Sequence, residues 1–254
     1  LGNINLTFRA PAGKVDPNEQ TRMVEDAINQ KADAILVAPS DKDALANVID
    51  RAHEAGIPVV IIDSPAETDN YVSFLATDNY VAGALAADTL AEEIGGVGKV
   101  AVINAQAGSG TTIARETGFT DRIAEAYPDI EVVAIQYSDG DKTKALDQAT
   151  DIMTAHPDLA GFYASNEGST VGVAKAVEES GNKGKIKVVG FDKSADIVSA
   201  IENGVIQAAM VQNPELMGSE GVQKAYDAIN GVEVEKYINT GVTVVTKENV
   251  DIIK

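Results

Sequence analysis

Polar side chains stand close after several strongly apolar segments of this sequence. Asp63, Asn166, Asp192 and Gln212 have this position, and Arg115 lies about one turn into a helical pattern that follows another apolar segment. Carboxylates accept hydrogen bonds, amides both donate and accept them, and arginine offers a planar set of donors. This combination suits a neutral molecule that carries many hydroxyl groups.

A polar residue after a strand can instead be a helix N-cap. We favour the capping interpretation for a second group of residues, Ser40, Asp41, Asp78 and Asp141. Gln212 differs, because the Asn213-Pro214 step after it indicates a poor helix start.

The sequence offers little that could perform catalysis. The chain has no cysteine and two histidines. His53 lies inside a helical pattern and His156 in a helix-ending His-Pro step, where a histidine is typical of the surface or of a helix C-terminus. No serine therefore has an evident histidine partner, and zinc-type ligand spacing is missing. We predict a protein that is not an enzyme and has neither a metal nor a cofactor.

Two glycine-containing loops partly match known ligand-binding loops. Residues 107–111 (Ala-Gly-Ser-Gly-Thr) follow a strand and open a helix, but they lack the third glycine of a dinucleotide fingerprint and the Gly-Lys-Ser/Thr of a phosphate loop. Residues 139–143 lack the glycine and glutamate that a calcium loop needs further along. We predict a plain turn for the first loop and a helix entry for the second.

Short apolar segments alternate with amphipathic segments along the whole chain. Helical spacing is clear from Pro17 to Lys31, from Lys42 to Ala55 and from Ile113 to Tyr127. The predicted strands are Ile4–Phe8, Ala34–Ala38, Val59–Asp63, Val72–Leu75, Val100–Asn104, Val132–Gln136, Gly161–Ala164, Val188–Phe191, Ile206–Val211 and Val242–Thr246. Because several strands are almost wholly apolar, both of their faces must be covered, which is typical of a doubly wound parallel α/β sheet. Ten strands are too many for one ordinary sheet and favour two domains.

The chain is strongly acidic. Its 254 residues carry 20 Lys and Arg against 39 Asp and Glu, so the net charge is 20 − 39 = −19. This charge argues against nucleic acid as a partner, because a phosphate backbone needs a basic surface.

In addition to these patterns, several segments resemble the periplasmic sugar-binding proteins of the ribose-binding (type I) class, which serve ABC importers. The segments lie at residues 55–64, 76–83, 114–119, 155–159, 164–167, 188–192 and 211–214. The resemblance implies two similar doubly wound parallel-sheet lobes joined by three crossings. It places residues 1–77 and 213–240 in the N-terminal lobe, residues 78–212 and 241–254 in the C-terminal lobe, and the ligand cleft between them.

The resemblance also implies sugar contacts by residues of this chain. They are Asp63, Arg115, Asn166, Asp192 and Gln212. Ser64 stands where some members carry arginine, and Arg9, which follows the first predicted strand, is a further candidate.

Two departures from the family pattern stand out. Family members begin with a strand-helix unit, whereas this chain begins at what corresponds to their second strand, so we expect the first unit to be absent from it. Gly140 occupies a position where ribose binders carry an aromatic residue that stacks on the sugar.

The leading hypothesis is an extracytoplasmic receptor that captures a monosaccharide or similar polyol by hinge closure and hands it to the membrane permease of an ABC transporter. We expect a monomer in the periplasm or outside the cell, either free or lipid-anchored. The alternatives are the effector-binding domain of a LacI-like repressor and the sugar-sensing domain of a signalling receptor.

Overall fold

The computed structural model describes residues 4–11 and 16–253. Its contacts divide the chain into two compact units. Unit 1 comprises Leu1–Thr77, Gly108–Thr111 and Asn213–Gly241, and unit 2 comprises Asp78–Ala107, Thr112–Gln212 and Val242–Lys254. Each unit is built around its own largely parallel sheet.

Helices and strands alternate as the apolar periodicity predicts. The helices are α1 (Pro17–Asn29), α2 (Ala46–Glu54), α3 (Asn79–Ile94), α4 (Gly110–Ala126), α5 (Lys142–Ala155), α6 (Glu167–Glu179), α7 (Ala195–Glu202) and α8 (Pro214–Ile229), followed by a short 3₁₀ helix at Val250–Ile253. The strands are β1 (Ile35–Val37), β2 (Val59–Ile62), β3 (Ser73–Ala76), β4 (Gly98–Asn104), β5 (Ile130–Tyr137), β6 (Leu159–Ala164), β7 (Lys187–Phe191), β8 (Ala208–Val211), β9 (Tyr237–Asn239) and β10 (Thr243–Thr246).

The sheet of unit 1 has the strand order β1-β2-β3-β9, and all its pairs are parallel. Helices α1 and α2 cover one face, with Val48 and Ile49 packed against Val59 and Ile61. On the other face, Ala225 of α8 packs against Val60 and Leu75. Two-sided cover explains why β2 is apolar at every position.

The sheet of unit 2 has the order β10-β8-β7-β6-β4-β5. Its pairs are parallel except that β10 runs antiparallel to β8. Two apolar clusters lie on its opposite faces, one around Ile103 and Phe162 and the other around Val102 and Tyr163. This arrangement confirms the predicted α/β class with two largely parallel sheets.

Two glycines allow α3 and α4 to pack unusually close together. A Cβ atom on Gly83 would lie 2.2 Å from the carbonyl oxygen of Arg115, and one on Gly118 would lie 2.0 Å from that of Tyr80. Because both obstacles are backbone atoms of a helix, no rotamer change could relieve them. The contact sets the position of α4 and therefore of Arg115.

Three local predictions from the sequence are wrong. Ile4–Phe8 forms no strand, and its Leu6 and Phe8 side chains are exposed. A strand needs a neighbouring backbone to bond, and no described strand pairs with this segment. The apolar pattern does not predict β9, because this strand has only three residues and its two ends are exposed. Asn213-Pro214 is a good helix start, since Asn213 caps α8 and proline at the first helical position loses no hydrogen bond.

Both glycine-containing loops behave as predicted. Residues 107–108 form a turn before α4, and Asp141 caps α5 by accepting hydrogen bonds from the N–H groups of Thr143 and Lys144. Asp78 caps α3 in the same way, by accepting from the N–H group of Val81. Among the described residues, no helix is long and apolar enough to cross a membrane.

Candidate functional site

Polar residues lie at the carboxyl ends of the strands in unit 2. The chain leaves β4 toward β5 on one side and returns to β6 on the other, so the topological switch point lies between β4 and β6. Ligands of open α/β sheets bind at such a point. Ile103 pairs with Ala164 in register, which brings Asn104 and Ser165 together at the two strand ends.

Arg115 is held against this edge by three contacts. Its Nε donates to the side-chain oxygen of Asn79 at 2.8 Å, its Nη1 donates to the carbonyl oxygen of Ser165 at 2.7 Å, and its guanidinium carbon lies 3.6 Å from the ring centre of Phe191. Only 6% of Arg115 is exposed. Two of the five guanidinium N–H groups are used, and within the described part of the chain the other three have no acceptor.

Asp192 follows β7 in a left-handed backbone conformation, with φ of 70°. Its N–H donates to the carbonyl oxygen of Met210 at 2.9 Å, so the pairing with β8 continues one residue past the strand. The carboxylate accepts from Gln212 Nε2 at 2.7 Å and from the N–H group of Glu167 at 3.1 Å. A carboxylate has about four acceptor positions, so capacity remains for further donors.

Asn166 has two roles available to it. Its Oδ1 caps α6 by accepting from the N–H group of Ser169 at 3.1 Å, which leaves the Nδ2 group as its unused donor. A Cβ atom on Gly140 would lie 3.3 Å from this Nδ2 atom. Gly140 therefore leaves the space beside the Asn166 amide open.

Buried polar atoms without a hydrogen-bond partner among the described residues concentrate at the same edge. In unit 2 near these strand ends they are Asn104 Oδ1, Tyr163 Oη, Ser165 Oγ and Gln212 Oε1. Complete burial raises the pKa of the Tyr163 hydroxyl. Unpaired buried polar groups are costly, and their clustering is a mark of a functional region.

A hydrogen-bonded cluster supports this edge from the side of β5. Glu116 Oε2 accepts from Tyr137 Oη at 2.6 Å and from Asn104 Nδ2 at 2.5 Å. The bond to Glu116 raises the pKa of Tyr137 from its ordinary value near 10 to about 12. The Glu116 carboxylate therefore holds Nδ2 of Asn104 toward itself and leaves Oδ1 pointing away.

In unit 1, Asp63 repeats the backbone geometry of Asp192. It follows β2 with φ of 65°, and its N–H donates to the carbonyl oxygen of Leu75 on the neighbouring strand at 2.9 Å. Ser64 is 3% exposed, and its Oγ has no partner among the described residues. Both predicted residues therefore lie at the carboxyl end of the unit 1 sheet.

Arg9 is placed differently from the other candidates. It is exposed, and its guanidinium donates to Asp26 of α1 at 3.3 Å and to Gln30 at 3.5 Å. Both partners belong to or follow α1, and neither is a candidate ligand residue, so the sugar-binding role of Arg9 stays a prediction.

The structure adds residues that the candidate set from the sequence did not include. Asn79 bonds Arg115, and Asn104 lies at the switch point. Asn79 stands close after a predicted strand and Asn104 ends one, but such a position alone does not distinguish a ligand site from a helix cap. Within the described ranges, no group of three His, Asp or Glu side chains could hold a metal ion.

Comparison with known proteins identifies the family. The profile of the periplasmic binding protein domain matches residues 3–233. The ribose import binding protein of Bacillus subtilis is 34% identical over 233 residues, which are 92% of this chain and 75% of that protein. A solute-binding protein of an ABC transporter from Agrobacterium vitis, solved with D-fucose, is 42% identical with a TM-score of 0.94 and covers 97% of this chain and 86% of its own. A carbohydrate-transporter protein from Agrobacterium radiobacter, solved with D-arabinose, is 37% identical with a TM-score of 0.90 and covers 92% and 81%. The chain therefore belongs to the periplasmic sugar-binding proteins of the ribose-binding family, the solute-binding components of ABC transporters, which are binding proteins and not enzymes.

Proposed function

We propose that this protein captures a monosaccharide, or a polyol of similar size, and delivers it to the permease of an ABC importer. The hydrogen-bonding groups left over at the carboxyl edge of the unit 2 sheet carry the proposal. Arg115, Asn166 and Gln212 supply donors, and Asp192 and Gln212 supply acceptors. A sugar hydroxyl both donates and accepts, so it can bond to either kind of group.

Unit 1 would contribute the matching groups Asp63 and Ser64. Asp63 supplies a second carboxylate, and the buried hydroxyl of Ser64 has no partner among the described residues. The family resemblance adds that the two units form the N-terminal and C-terminal lobes and close on the sugar by a hinge. It also favours a monomer that works in the periplasm or outside the cell.

The sugars bound by the relatives suggest where to start. D-Fucose and D-arabinose were found in the two Agrobacterium structures, and the Bacillus protein is named for ribose import. A thermal-shift screen across monosaccharides and polyols tests the proposal. A ligand present at 100 times its Kd stabilises the folded state by about 2.7 kcal/mol, which raises the Tm of a protein of this size by about 5–11 °C.

The result that contradicts the proposal is a screen in which no neutral sugar or polyol raises the Tm. Small-angle X-ray scattering with and without the best sugar tests the hinge separately. Closure predicts a smaller radius of gyration with sugar, and binding without any such change contradicts closure alone.

A further inference from the structure

We propose that Asn79 is a positioning residue for sugar binding, which acts on the sugar only through Arg115. The inference rests on the proposed function, because it takes Arg115 to contact the sugar. Asn79 is the first residue of α3 and is 7% exposed. Its Oδ1 accepts the Nε–H of Arg115 at 2.8 Å.

The three contacts of Arg115 constrain different motions of its guanidinium. Stacking on Phe191 fixes the plane of the group, since its central carbon lies 3.6 Å from the ring centre. The bond from Nη1 to the carbonyl oxygen of Ser165 leaves rotation within that plane. The bond to Asn79 is made by a different nitrogen and stops that rotation. Asn79 therefore sets the direction in which the remaining N–H groups point.

The neutral side chain of Asn79 preserves the positive charge of Arg115 at the site. A carboxylate paired with Arg115 would neutralise it, whereas an amide oxygen accepts the Nε–H bond and leaves the positive charge available to sugar hydroxyls. The bond also depends on the close approach of α3 and α4 that Gly83 and Gly118 permit. The helix contact thus helps to place Asn79 beside Arg115.

Isothermal calorimetry on the full chain tests the proposal with the tightest-binding sugar among D-fucose, D-arabinose and D-ribose. We expect Asn79→Leu, which removes the acceptor at similar size, to weaken binding roughly ten-fold. Arg115→Met weakens it roughly a hundred-fold or more. The double variant should bind no more weakly than Arg115→Met alone, because a residue that positions Arg115 has no effect once Arg115 is removed. Asn79→Asp keeps an acceptor but neutralises part of the Arg115 charge, so it should weaken binding about three-fold, which is less than the loss expected for Asn79→Leu.

The outcomes separate this proposal from the proposed function. Unchanged binding by Arg115→Met would show that the sugar site lies elsewhere. Weak binding by Arg115→Met with wild-type binding by Asn79→Leu would overturn the positioning role alone. The same loss from Asn79→Leu in both backgrounds would also overturn it, because the residue would then act independently of Arg115.

Two further measurements cover loss of folding. Thermal unfolding without sugar reports the stability of each variant, and Asn79→Ser, too short to reach Arg115, replaces Asn79→Leu if that protein does not fold. The Nε–H resonance of Arg115, assigned with Arg115→Met, should shift in Asn79→Leu. An unmoved resonance would overturn the proposal.

Discussion

An alanine substitution should have opposite effects at Gly118, which lies in the contact between α3 and α4, and at Gly218, which lies outside it. In Gly118→Ala, the new Cβ would lie 2.0 Å from the carbonyl oxygen of Tyr80. Since carbon–oxygen contacts seldom lie closer than about 3.3 Å, the two helices must separate by roughly 1.3 Å. Gly218 also lies inside a helix, α8, but a Cβ there meets nothing within 4 Å.

The cost of Gly118→Ala has two parts. Overpacking of a rigid contact costs about 1–3 kcal/mol. Moving α4 also stretches the 2.8 Å bond between Arg115 and Asn79, and a hydrogen bond to a charged group contributes about 1.5–3 kcal/mol. We expect a total of about 4 kcal/mol and a fall in Tm of about 8–16 °C. Gly218→Ala should instead stabilise the protein by about 0.5–1 kcal/mol, because alanine is the better helix former.

Thermal unfolding by circular dichroism measures both effects, and calorimetry with the bound sugar adds a second readout. Gly118→Ala should weaken sugar binding at least ten-fold by displacing Arg115, whereas Gly218→Ala should leave it unchanged. Equal Tm values for the two variants would refute the reasoning, since it rests on the difference between a blocked and an open Cβ position.

The remaining predictions concern Asp192, ligand charge and Tyr137. Asp192→Gly and Asp192→Ala should each lose on the order of 100-fold in sugar affinity by calorimetry. In urea unfolding, the alanine variant should be about 0.5–1 kcal/mol less stable than the glycine variant, because only glycine adopts φ of 70° without strain. An alanine variant at least as stable as the glycine variant would contradict this expectation. Sugar phosphates and sugar acids should bind much more weakly than the parent sugar, because Asp63 and Asp192 outnumber Arg115, and tight calorimetric binding of a phosphorylated sugar would contradict it. Since the bond to Glu116 raises the pKa of Tyr137 to about 12 in the folded state, its contribution to stability is complete below about pH 10 and is lost as the pH rises toward 12. In urea unfolding, Tyr137→Phe should therefore lose less stability than wild type over that pH range. Parallel plots of unfolding free energy against pH for the two proteins would contradict a stabilising role of the bond between Tyr137 and Glu116.

The sheets could be predicted because strands that are buried on both faces have nearly continuous apolar sequences. Nine of the ten predicted strands correspond to β1–β8 and β10. The strand predictions fail where strand formation depends on a pairing partner rather than on amino-acid composition. Ile4–Phe8 has a strand-like pattern without a neighbouring strand, whereas β9 pairs with β3 although two of its three residues are exposed.

The candidate site could be predicted only as far as strand ends reveal it. Asp63 and Asp192 follow strongly apolar segments, and this signal is visible in one sequence. Asn79 and Arg115 are 36 positions apart in the sequence and lie on two helices that a pair of glycines allows to pack closely. No local sequence pattern predicts their contact. Asn166 shows a further limit, since it caps α6 with one atom and offers the other. A capping bond to Asn166 therefore does not exclude a ligand contact by the same residue.

The two aspartates connect the folding of each unit with its function. Asp63 and Asp192 both adopt a left-handed conformation, and both donate their N–H to the strand next to the one they follow. This conformation costs a residue other than glycine on the order of 1 kcal/mol, although aspartate tolerates it better than most. Glycine would remove the strain but would supply no carboxylate. The same strained geometry occurs at the carboxyl edge of both sheets. We propose that it is kept because binding sugar hydroxyls requires a carboxylate at that edge of each unit.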